Sequence, residues 1–160
     1  MGTRSRIGVM HGDNCKSVYC HWDGYLEHNG KILLEHYDSA KANHLVALGD
    51  ISSLDKNVEI PEGAEHSFQV PLDGVTTFYG RDRGESGCEF NTDDSFEKFF
   101  ERVDGCGAEW YYIMRDGEWY VGNVYDRDPR FYKQLVPLAE AMADQDIDKN
   151  EVAQIVADNA

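Results

Sequence analysis

No apolar run in this chain approaches the ~20 residues that cross a bilayer, so a membrane-spanning helix is not expected. Positive charge is scarce as well: 15 Lys and Arg stand against 30 Asp and Glu, for a formal charge of −15. Nucleic-acid backbones and anionic lipid surfaces bind through Lys and Arg that replace condensed counterions. Direct nucleic-acid binding and membrane attachment are therefore not expected, and a partner protein with a basic face or a small anionic ligand is. The deficit is uneven, with 11 acidic against 6 basic residues in 1–80 and 19 against 9 in 81–160.

Recognisable catalytic and cofactor signatures are missing too. No Gly-Lys-Ser/Thr follows the glycine-rich stretch, no internal repeat or low-complexity tract is visible, and no cofactor is implied. Met1-Gly2-Thr3-Arg4-Ser5-Arg6 leads into a β-rich run without the apolar stretch of a secretory signal, and Arg6 stands where a myristoylation site needs Ser or Thr. Four cysteines, Cys15, Cys20, Cys88 and Cys106, in a chain without such a signal are expected to be reduced thiols, in keeping with the cytoplasm.

What remains is enough to fold. At 160 residues, with 41% apolar and 12% aromatic residues, the chain can bury a core without metal or disulfide support. We read residues 1–143 as a single α+β domain and 144–160 as an acidic C-terminal helix or tail. The expected architecture is a mainly antiparallel sheet of about five strands, two hairpins plus one strand, packed with three to five helices.

Local patterns carry that expectation. Arg6 to His11 and Lys16 to His21 flank Gly12-Asp13-Asn14 and read as an opening hairpin. Trp110 to Gly122 reads as a second hairpin around Asp116-Gly117, which suits a type I′ turn. In that register Met114 faces Trp119 and Tyr112 faces Val121. Trp110, Tyr112, Met114, Trp119 and Val121 then form the core face, while Tyr111, Ile113 and Tyr120 need cover from a helix or a partner. Val75 to Tyr79 reads as the single further strand.

Helices are expected at four places before the C-terminus. Ile32, Leu33, Leu34 and Tyr37 mark a short one, and a second follows with Asp38 or Ser39 as cap and Gly49 beyond its end. Phe96, Phe99, Phe100 and Val103 recur at i, i+3, i+4, i+7, with Asp94 and Glu97 at capping-box spacing. Phe131 to Met142 reads as a helix that Pro137 kinks or splits. Asp50 to Asp73 reads as mostly loop.

Several clusters invite a functional reading. His11, Cys15, Cys20 and His21 are zinc-type ligands, but Cys15 and Cys20 on one strand point to opposite faces and match no common zinc spacing, so no metal is expected. Asp144, Asp146, Asp148, Asn150 and Glu151 lack the Gly and the final Glu of a calcium loop. Arg81 and Arg83 lie among Gly80, Gly84 and Gly87, where backbone N–H groups and two guanidinium groups can meet an anion. The competing reading pairs them with Asp82 and Glu85. Tyr19, His21 and Asp23 alternate, so an extended chain sets all three on one face with Trp22 turned away. His21 and Asp23 are the candidate acid and base; Arg81, Arg83, Tyr19 and Trp22 are the candidate ligand-binding residues.

Met1-Gly2-Thr3-Arg4-Ser5, Tyr19-Cys20-His21-Trp22-Asp23-Gly24-Tyr25, Leu33-Leu34-Glu35-His36-Tyr37, Leu48-Gly49-Asp50 and Tyr79-Gly80-Arg81-Asp82-Arg83-Gly84-Glu85 run through the first half of the chain. Together they resemble an uncharacterised family of small proteins common in tailed-phage genomes. That resemblance implies phage origin and expression in the cytoplasm of an infected bacterium, and it implies no mechanism. The leading expectation is a non-enzymatic accessory protein that binds a macromolecule or an anionic ligand and counters host defence in one version. A phosphate-recognising hydrolase or nucleotide-processing enzyme, and a virion or assembly component, are the alternatives.

Overall fold

A computed structural model of the protein describes residues 3–144; the expected acidic tail lies outside the described residues except for Asp144. The chain opens on the first hairpin, β1 (Ser5–His11) and β2 (Asn14–Trp22), paired across Gly12-Asp13. Gly12 takes φ +62°, which a residue without Cβ adopts freely. This two-residue turn sets Arg6 opposite Tyr19 and Ile7 opposite Val18.

The second hairpin, β6 (Trp110–Arg115) and β7 (Glu118–Asn123), has the register read from Asp116-Gly117: Met114 faces Trp119 and Tyr112 faces Val121. Both turn residues have positive φ, 51° and 80°, as a type I′ turn requires. β1 joins the two hairpins by running parallel to β6, with Arg6 level with Tyr111. Every residue from Ser5 to Met10 is buried, the pattern of a central strand covered on both faces.

Four shorter strands complete a mixed sheet of eight, where about five mainly antiparallel strands were expected. β3 (Ile51–Ser53) runs parallel to the end of β2, β4 (Thr77–Phe78) pairs with β3, and β5 (Asn91–Asp93) pairs with the beginning of β2. β8 (Val136–Pro137) closes the far edge against β7, giving the order β4-β3-β2-β1-β6-β7-β8 with β5 beside β2. Strands of two or three residues are too short to show an alternation, and pairing alone creates them. β3 falls in the stretch read as loop, and only Thr77 and Phe78 of Val75 to Tyr79 are strand.

The helices follow local chemistry with three corrections. A π-helical turn (Leu26–Gly30) leads into α1 (Lys31–His36), and Asp38 caps α2 (Ser39–Ala47) by accepting the Lys41 N–H at 2.9 Å. Tyr79 to Arg83 forms a short helix, α3, where a glycine-rich loop was expected. α4 (Phe96–Gly105) is capped by Ser95, which accepts from Lys98 N at 3.2 Å, in place of Asp94. The helix expected over Phe131 to Met142 is instead a turn, then β8, then helix over residues 138–144. Pro137 sits on an edge strand, where its missing N–H removes no ladder bond.

These elements make one α+β domain whose sheet is covered on both sides. One face packs Ile7, Val18, Tyr112 and Trp119 against Leu33, Leu45 and Leu138. It is pinned by polar contacts: Trp119 Nε1 donates to the Tyr37 carbonyl at 2.9 Å and the Tyr112 hydroxyl to the Gly24 carbonyl at 2.6 Å. On the opposite face Phe99 and Val103 of α4 cover Met10, Cys15, Tyr111 and Ile113. Cys15 and Cys20 therefore lie in different cores, as their odd spacing requires.

Candidate anion-binding cleft

α4 covers only part of its face, and the uncovered part carries polar side chains. Along β2, Val18 and Cys20 are fully buried in the other core, so Tyr19 and His21 between them point to the α4 side and stay half-buried. The Tyr19 hydroxyl and His21 Nδ1 are 2.8 Å apart. Across the hairpin Arg6 faces Tyr19, and one step beyond the last paired residues Arg4 comes level with His21.

Arg6 is 3% exposed and held entirely by neutral acceptors. Its Nε donates to Ser17 Oγ at 2.9 Å, and its Nη2 to the Ser17 carbonyl at 3.1 Å and to Asn91 Oδ1 at 2.9 Å. No carboxylate forms an ion pair with Arg6 or Arg4 among the described residues. The other arginines differ: Arg81 pairs with Asp82, Arg83 with Glu85, Arg102 with Asp93, Arg127 with Glu109 and Arg130 with Asp144, while Arg115 lies over the Tyr120 ring. Among the described residues, two arginines on neighbouring positions of one face thus have no carboxylate at ion-pair distance, although the Arg6 charge still acts on Asp50.

Arg4 opens into a cavity of about 460 Å³ whose walls include His21, Trp22, Glu109 and Tyr125. Trp22 and Tyr125 are 41% and 40% exposed, so aromatic surface flanks the guanidinium. Burial pushes the Tyr19 hydroxyl above its usual range, and the nearby Arg4 charge pulls the other way. Tyr19 therefore stays a neutral donor and acceptor at neutral pH. Arg4, the His21 ring, the flanking aromatics and Glu109 thus line one cavity, and a guanidinium there has the donor geometry that suits a planar or tetrahedral anion.

The expected site residues divide. Tyr19, His21 and Trp22 come together; Trp22, expected to turn away, instead meets the His21 ring edge-on with centroids 4.6 Å apart. β2 ends at Trp22, so the alternation does not reach Asp23. The Asp23 carbonyl accepts instead from Asn29 N and His28 Nδ1, and among the described residues no hydrogen bond joins Asp23 to His21.

Arg81 and Arg83 lie elsewhere. Arg81 donates to Asp82, to the Val58 carbonyl at 2.5 Å and to the Thr76 carbonyl at 2.9 Å, and it stacks on Phe78. Its neighbour Asp82 also accepts the Phe78 N–H at 2.8 Å and meets the buried His66 ring at 3.3 Å. His66 Nδ1 in turn accepts the Leu72 N–H, so this cluster ties the 58–75 segment to α3. Arg81 lines a cavity with Glu85, Cys88 and Glu89, separate from the one at His21.

Arg4 and Arg6 are not among the expected site residues, although the hairpin carries a signal for Arg6. The Gly12-Asp13 turn fixes the hairpin register, and that register alone sets Arg6 across from Tyr19. Among the described residues no three His, Cys, Asp or Glu side chains converge to hold a metal ion, and no helix is long and apolar enough to cross a membrane. The chain matches no protein-family model, no curated protein and no solved structure.

Proposed function

We propose that the protein is a non-enzymatic binding protein whose Arg4–His21 cleft receives the anionic group of a ligand or partner. The observation that carries this reading is the pair Arg4 and Arg6, which among the described residues form no ion pair on one sheet face of a strongly acidic chain. The exposed Arg4 guanidinium lines the cleft, and Arg6, two residues along the same face and hydrogen-bonded to neutral acceptors, adds a positive potential that it shares with Asp50. We further propose, from the resemblance of its first half, that it acts as a tailed-phage accessory protein in the infected bacterial cytoplasm. Its acidic surface then favours partners with basic faces. The hydrolase alternative draws no support from the cavities, because Arg81 and His21 line different ones.

Trp22 supplies the readout, being 41% exposed where Trp119 is 3% exposed. Titration of the protein with inorganic phosphate and with N-acetylated amino acids is expected to change its tryptophan emission saturably. Arg4→Ala is expected to weaken that binding about tenfold or more, the value of a charge-assisted hydrogen bond. Absence of saturable binding by any of these anions, or full binding by Arg4→Ala, overturns the reading.

A further inference from the structure

Trp22 is a wall of two cavities. On one side lies the Arg4–His21 cleft; on the other is a cavity of about 420 Å³ bounded by Ser52, Asp55, Phe68, Leu72 and Asp73. The two have opposite chemistry. The first offers the Arg4 guanidinium, with Glu109 also at its wall, while the second offers Asp55 and Asp73 beside Leu72 and Phe68, whose ring already carries the ion-paired Arg83 at 4.7 Å. Neither Asp55 nor Asp73 forms an ion pair among the described residues. Asp55 is half-buried and its Oδ1 accepts the Lys56 N–H at 2.8 Å, which fixes the carboxylate in place.

The net charge sharpens the choice of ligand. A field of −15 repels a polyanion such as a nucleoside triphosphate from any site on this chain. A ligand with one anionic and one cationic end escapes that penalty, because its cation is attracted by the same field. The exposed indole between the cavities adds a surface over which an ammonium or guanidinium group is favoured.

We infer that the two cavities form one composite site for a peptide terminus, with the free α-carboxylate at Arg4 and His21 and a neighbouring Lys or Arg side chain crossing Trp22 to Asp55 and Asp73. This rests on the anion reading of the Arg4 cleft. It adds that the site selects a basic residue near the terminus, which a single-anion receptor does not do.

Calorimetric titration of the full chain with three peptides tests it: Gly-Gly-Lys-Ala as the free acid, the same peptide as its C-terminal amide, and the free acid with norleucine in place of Lys. The lysine acid is expected to bind tightest. The norleucine acid should bind about two- to fivefold more weakly, the value of a solvent-accessible ion pair. Asp55→Asn combined with Asp73→Asn, checked for folding by circular dichroism, is expected to erase the preference for lysine. Equal affinity of the lysine and norleucine acids overturns the composite site and leaves the anion cleft standing. If the amide binds as well as the acid, the anion cleft itself is wrong.

Discussion

The Tyr19 hydroxyl and His21 Nδ1 are hydrogen-bonded at 2.8 Å, two residues apart on one strand and on the same face. Tyr19 thereby fixes which His21 nitrogen faces the Arg4 cleft. Tyr19→Phe is expected to shift the His21 ring nitrogen resonances in NMR spectra. It should lower stability by no more than about 1.5 kcal/mol in urea denaturation, the value of one hydrogen bond. Unchanged His21 resonances would show that the ring is held by Trp22 alone.

Two carboxylates give the stability opposite pH dependences. Burial works against the charge of Asp82, but hydrogen bonds from Arg81 and the Phe78 N–H, with the Arg81 charge, hold its carboxyl below the ordinary 3.8. Its stabilising contribution is complete above 3.8 and is lost as pH falls through the lowered folded value. Asp50 is the reverse: burial raises its pKa, only partly offset by the Tyr19 N–H and the Arg6 charge, so its ionisation costs stability as pH rises from 3.8 through the folded value. Asp82→Asn should therefore flatten the acid limb of a stability profile. Asp50→Asn, whose amide oxygen still accepts the Tyr19 N–H, should raise stability at neutral pH.

Gly122 faces Tyr111 across β6 and β7, and the Tyr111 ring folds over it to donate to the Gln134 carbonyl at 2.5 Å. A Cβ at position 122 would overlap both the ring and that carbonyl. Gly122→Ala is expected to cost about 1–3 kcal/mol by overpacking. Thermal or urea unfolding checks it, and a loss below half a kcal/mol would show that the Tyr111 ring and the Gln134 carbonyl can move aside.

The thiols of Cys15 and Cys20 are fully buried, and burial pushes each up to about 12. A thiol so weakly ionised and shielded reacts slowly. Iodoacetamide labelling of the native protein at pH 8, read by peptide mass spectrometry, is expected to modify Cys88 and Cys106 first and to reach Cys15 and Cys20 only after unfolding.

Much of the candidate site was within reach of local reasoning. Tyr19 and His21 share a face because they are two residues apart on a strand, and Arg6 faces Tyr19 because the turn closes over Gly12-Asp13 and leaves Asn14 paired with His11. Trp22 joined them only because β2 ends there and the ring turns to its neighbour. For the same reason Asp23 left the group, its carbonyl drawn into the following helical turn.

By itself the sequence determined the two long hairpins, the caps and periodicity of α2 and the apolar face of α4, since each depends on residues within about ten positions of one another. Tertiary structure decided what links distant segments: β1 running parallel to β6, the two- and three-residue strands, and the helix–strand division at Pro137. It also decided which charges meet. Arg81 and Arg83 found carboxylates, whereas among the described residues Arg4 and Arg6 form no ion pair, and no count of charges along the chain distinguishes the two pairs. Long-range packing sets distances between side chains, and at these distances Coulomb energy, not composition, selects a site.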